Sequence, residues 1–148
     1  MRMSKNIEYP ERPISGVGVA VFRNEEVLLV KRKKAPYKGQ WSLPGGKQRL
    51  GETVTQAARR ELMEETGVEV NELTLVDVVD IIVPDEEGGI LYHYCVADYQ
   101  AQWMSGECRP GDDAQDVQWF NLKKLGSLSM LDKTRKLILK SAGKSDSA

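Results

Sequence analysis

Residues 53–67, TVTQAARRELMEETG, constrain this chain more than any other stretch. Thr53 with Gln56 forms a capping-box pattern, and Gly67 supplies a stop, so the segment between them is predicted to be a short helix. At about 100° per residue, Glu61, Glu64 and Glu65 share roughly a third of its circumference, with Ala58 and Leu62 to one side. Carboxylates at this spacing repel one another. Two readings follow from the residues alone. Either a hard divalent cation sits against the acidic face, or the face is solvated and neutralised locally by Arg59 and Arg60.

The rest of the chain bounds the fold. Its 148 residues, 41% hydrophobic, suit one domain with one sizeable core. A formal net charge of −1 gives no basic field for nucleic acid or an anionic membrane. The polar opening MRMSKNIEYPERP lacks the apolar core of a signal peptide, and no apolar run reaches membrane-spanning length. The two cysteines, Cys95 and Cys108, are too few for a disulfide framework, so the expectation is a soluble cytoplasmic protein with reduced thiols. Residues 1–13 are expected to be a flexible N-terminal segment, 14–142 a single domain and 143–148 a C-terminal tail.

Before the acidic helix, residues 14–22 and 27–31 (ISGVGVAVF and VLLVK) are β-rich and joined by RNEE, which suits a hairpin. After it, β-rich stretches at 73–83 and 90–99 flank the turn PDEEGG. The loop MSGECRPGDDAQ leads to a short strand, VQWF, and residues 131–142 show the spacing of a helix packed on a sheet. Strands with two helices predict a layered α/β protein.

The stretch 46–68, GKQRLGETVTQAARRELMEETGV, fits Gly-x5-Glu-x7-Arg-Glu-U-x-Glu-Glu-x-Gly-U at every specified position, U being a bulky apolar residue. It resembles the Nudix box of the Nudix hydrolase superfamily, and VLLVKR, KGQWSLPGG and GDDAQDVQWF resemble the family's flanking segments. The resemblance implies the Nudix fold, an α/β/α sandwich with a mixed sheet between helices. It also implies a hydrolase that uses Mg²⁺, with Mn²⁺ as an alternative, to cleave the pyrophosphate link of a small nucleotide substrate.

By the same resemblance Glu64 and Glu65 bind metal, and Glu61 binds metal or acts as base. Glu52 on the loop side and Gly46 complete the expected metal set. Arg60 is expected to pair with a box glutamate and orient it. Gly45 and Gly46 let the backbone turn tightly and bring the helix N-terminus toward anionic substrate groups. Arg32 is a candidate phosphate contact, with a plain surface charge as the alternative. For the base, Glu61 competes with a residue of the later loop: Glu107, Asp112 or, favoured among these by its distance from Trp119, Asp113. Turn residues after Pro110 and Gly111 are an equally natural reading of the two aspartates. Trp41, Trp119 and His93 are expected to be structural.

Pro84, sixteen residues beyond Val68, is similar to the marker that distinguishes ADP-ribose pyrophosphatases within the family. ADP-ribose is therefore the first expected substrate, cleaved to AMP and ribose 5-phosphate. A nucleoside triphosphate pyrophosphatase is the second reading, and a nucleotide-sensing module on the same fold the third. The oligomeric state stays open between monomer and homodimer.

Overall fold

A computed structural model describes residues 7–111 and 114–143. The opening hairpin forms as expected. Strand β1 (Ile14–Arg23) turns through Asn24, whose φ of 57° is tolerated by asparagine, into β2 (Glu26–Arg32). Both strands are buried on both faces, which explains their nearly continuous apolar sequence. Val17, Val19, Val21, Leu28 and Val30 enter one core, while Ala20, Phe22, Val27 and Leu29 enter a second.

The chain continues through β3 (Trp41–Ser42), β4 (Gly45–Lys47), helix α1 (Val54–Thr66), β5 (Glu69–Val70), β6 (Thr74–Pro84), β7 (Ile90–Ser105) and β8 (Ala114–Asn121). A 3₁₀ helix (Leu122–Ser127) and helix α2 (Asp132–Ser141) complete the described fold. The sheet is mixed: β1 runs parallel to β7, and the other pairings are antiparallel. Helix α1 buries Ala57, Ala58, Leu62 and Thr66 against the first core. The 3₁₀ helix and α2 cover the other face with Leu122, Leu125 and Ile138. This is the expected helix–sheet–helix layering.

The pairing that positions the site is unusual. β1 and β2 pair only next to their turn, at Phe22 with Val27 and Arg23 with Glu26. Farther on they diverge, β4 pairing with β1 and β3 with β2, so Gly45 and Gly46 lie against the middle of β1.

Other sequence expectations meet differences. The segment ahead of β1 is tied down at Tyr9, which donates from its amide to the Leu91 carbonyl and from its hydroxyl to Asp85. β7 extends well beyond the expected end near residue 99, because Gln100, Ala101 and Gln102 continue the pairing with β1, and Trp103 and Ser105 pair with β5. Trp41 packs edge-on against Phe120 on the second core, and Trp119 lies on the first core under the Arg23 guanidinium, so both are structural as expected. Among the described residues no helix is long and apolar enough to cross a membrane.

Candidate active site

The ends of α1 are fixed locally. Thr53 accepts from the Gln56 amide while the Gln56 side chain accepts from the Thr53 amide, and Gly67, at φ 78°, returns its N–H to Met63. The last carbonyls of the helix are satisfied by a segment far away in sequence. The amides of Arg109 and Gly111 donate to Thr66 and Glu65 at 2.9 and 2.8 Å, pinning the loop after β7 to the end of α1. Glu107 lies exposed in this loop. Asp112 and Asp113, the other two candidates for the base, fall outside the described residues.

With its apolar side buried, α1 turns its glutamates toward β4. Glu65 accepts from the Gly45 amide at 2.9 Å, and Glu61 lies directly on Gly46. A Cβ on Gly46 would overlap the Glu61 carboxylate, and one on Gly45 would overlap the Val17 carbonyl. Both glycines are therefore demanded by close approach rather than by turn conformation.

Arg60 stands at the centre, its side chain only 17% exposed. It grips both oxygens of Glu52 and one of Glu61, donates to Glu64 at 2.9 Å and reaches the Lys47 carbonyl at 2.9 Å. Arg59, its neighbour, points elsewhere and ties the chain after the helix by donating to the carbonyls of Val70 and Asn71. Of the two arginines on the helix, Arg60 is the local counter-charge, and it reaches Glu52, Glu61 and Glu64. Arg49, which the motif leaves unspecified, adds its amide to Glu52 and its guanidinium to Glu64 at 3.5 Å.

The fork of Arg60 and the Arg49 amide hold the Glu52 carboxyl down to about 2. Its folded value lies below its ordinary one, so its contribution to stability is present above the ordinary carboxylate range and is lost as pH falls toward 2. We expect the melting temperature to drop between pH 5 and about pH 2.5. The drop should be smaller in Glu52→Gln, as followed by circular dichroism.

Among the described residues no three acidic, histidine or cysteine side chains form a ready-made ion cage. Glu52, Glu61 and Glu64 converge on the Arg60 guanidinium, and Glu65 on the Gly45 amide. Their chemistry nonetheless fits a hard divalent ion. Glu61, Glu64 and Glu65 bring oxygen donors to one helix face, and Glu61 lies against Gly46. Glu52, expected among the metal ligands, is occupied on both oxygens by Arg60 and Arg49. Arg32, expected at a phosphate, closes its own loop by donating from Nε to the Pro36 carbonyl at 2.7 Å. Pro84 lies exposed at the end of β6, where the Asp85–Gly89 turn begins. Burial raises the Cys108 thiol above its ordinary value, as befits an inert cysteine.

The NUDIX domain profile matches residues 12–141. The chain is 34% identical over 117 residues to an ADP-ribose pyrophosphatase of Methanocaldococcus jannaschii, covering 79% of this chain and 67% of that protein. It is also 34% identical over 107 residues to an oxidized purine nucleoside triphosphate hydrolase of Danio rerio, covering 72% and 65%. It spans as little as 23% of longer curated relatives. Among solved structures, a MutT NUDIX hydrolase from Burkholderia pseudomallei superposes with a TM-score of 0.75 at 36% identity, covering 86% of this chain and 97% of that one.

Proposed function

Because the chain belongs to the NUDIX domain family, we propose that it is a divalent-metal-dependent pyrophosphohydrolase whose first substrate is ADP-ribose, split into AMP and ribose 5-phosphate. The observation that carries this reading is the seating of Glu61 and Glu65 on Gly46 and Gly45, with Arg60 bracing the set. The Methanocaldococcus relative and Pro84 favour ADP-ribose within the class.

Hydrolysis adds a water oxygen to one phosphorus as the bridging P–O bond breaks, and the water must lose a proton. Mg²⁺ or Mn²⁺ held by Glu61, Glu64, Glu65 and the Gly46 carbonyl would neutralise charge on the phosphoryl oxygens and acidify the water. This chain's own groups do the rest. We assign the proton to Glu61, with Glu107 and Asp113 as the alternatives. Arg60 fixes the rotamers of Glu61 and Glu64, and Glu52 fixes Arg60 from behind. Arg32 remains a phosphate candidate through its two Nη groups, since the Pro36 carbonyl engages only Nε.

The triphosphate reading is favoured by the Danio relative. Product analysis separates the two. With Mg²⁺, ADP-ribose should give AMP and ribose 5-phosphate by mass spectrometry. Nucleoside monophosphate and pyrophosphate from a triphosphate panel, with ADP-ribose left intact, would replace the first reading by the second. No turnover on either would turn the protein into a nucleotide-binding module, against which the complete glutamate set argues.

A further inference from the structure

Two arginines reach the acidic face of α1, and they are held very differently. Arg60 is enclosed and gives its donors to Glu52, Glu61, Glu64 and the Lys47 carbonyl. The Arg49 side chain is 65% exposed. Among the described residues its guanidinium makes one ion pair, to Glu64 Oε1 at 3.5 Å, and no hydrogen bond. A guanidinium carries several N–H donors in a planar fork, so most of the binding capacity of this one is left open.

The backbone under that open head is tied down. The Arg49 amide donates to Glu52 Oε1 at 2.8 Å, and the Glu52 amide returns to the Arg49 carbonyl at 3.1 Å. Gln48 fastens the same loop to Ser15 and to the Glu52 carbonyl. The charge is thereby delivered to one place, beside Glu64, with little backbone left to order when a ligand arrives.

The contact to Glu64 is the second part. The same Oε1 accepts from Arg60 at 2.9 Å, so Arg49 is the outer of two cations on one oxygen. An exposed pair of this kind contributes little and is easily given up. A divalent ion on Glu64 would compete with Arg49 for that oxygen. The diphosphate of the substrate, brought to the same place, offers the displaced guanidinium a better partner, because its fork meets two phosphate oxygens at once.

We propose that Arg49 is a substrate-binding residue that covers Glu64 in the free protein and passes to a phosphate of the diphosphate in the loaded one. The assignment rests on the pyrophosphohydrolase reading above. The box motif leaves position 49 unspecified, so the arginine there is this chain's own.

The test is titration calorimetry on wild type, Arg49→Gln and Arg49→Lys with two probes. One is Mg²⁺ alone. The other, at saturating Mg²⁺, is adenosine 5′-(α,β-methylene)diphosphate, whose P–C–P bridge is not hydrolysed. Both substitutions keep the Arg49 amide and its Glu52 contact, so the melting temperature should hold. Arg49→Gln should move the two affinities in opposite directions. Mg²⁺ should bind about two- to fivefold tighter, since a competing cation is gone. The analogue should bind about tenfold weaker or more, since a charge-assisted pair to phosphate is lost. Arg49→Lys should bind Mg²⁺ like wild type and recover only part of the analogue affinity, as a point charge without the fork. A merely structural arginine would move both affinities the same way, or neither. Unchanged analogue affinity in Arg49→Gln overturns the phosphate role, and Mg²⁺ bound no tighter overturns the competition for Glu64. Either result leaves the hydrolase reading standing where wild type cleaves ADP-ribose or a triphosphate. Wild type that binds neither probe and cleaves neither substrate overturns both.

Discussion

Glu64→Gln should fold like the wild type and lose at least about a hundredfold in turnover, beyond what loss of a ligand's supporting partner costs. The two effects separate because of where Glu64 stands. Its side chain is 48% exposed, and its contacts are to Arg60 and Arg49 at 2.9 and 3.5 Å. Exposed ion pairs of this kind contribute little to stability. The amide keeps the shape of the side chain, and the buried face of α1 is untouched, so melting should shift by no more than a few degrees. The charge it removes is one proposed to hold the metal against the diphosphate, where each anionic ligand helps fix a hard cation. Steady-state kinetics on ADP-ribose with Mg²⁺, beside a thermal melt, reads both effects. Wild-type turnover in the variant would remove Glu64 from the metal site.

Arg60→Ala should do the reverse, damaging fold and activity together. Its guanidinium is the shared partner of Glu52, Glu61 and Glu64, and Glu52 and Glu61 are only 18% and 19% exposed. Removing the shared partner leaves like charges facing one another, which destabilises the fold. The melting temperature should fall by more than in Glu64→Gln, which loses only exposed contacts. Turnover should drop about 10- to 100-fold, as for loss of a group that orients metal ligands. The sharper expectation concerns Mg²⁺. Guanidinium and divalent ion neutralise the same carboxylates, so Mg²⁺ should raise the melting temperature of Arg60→Ala more than that of wild type. An equal Mg²⁺ effect on both proteins would mean that the ion does not bind at this cluster.

These expectations divide by how far apart in the chain their causes lie. Helix α1, its two caps and the shared face of Glu61, Glu64 and Glu65 were legible because helical periodicity and capping act over a few residues. The doubly buried β1 and β2 were legible as apolar runs for the same reason, as was the second helix. The 3₁₀ helix at Leu122–Ser127 was not, since it carries no periodicity long enough to read. The resemblance carried the family, but not the arrangement of charges.

Tertiary structure alone decided the rest. The motif names Glu52 and Arg60 without showing that they form a fork, because that contact depends on how the loop of residues 48–52 folds back over the helix. Gly45 and Gly46 look like turn residues in sequence, whereas the structure requires them for the approach of Val17 and Glu61. The burial of Asp98, on β7, carries no local signal: it follows from the parallel pairing of β1 with β7, between strands separated by the whole acidic helix. The sequence by itself determined which helix forms and which charges it displays, since those are set by neighbours within a turn or two. Which groups meet across strands was decided only by the sheet's register, a property of the packed core as a whole.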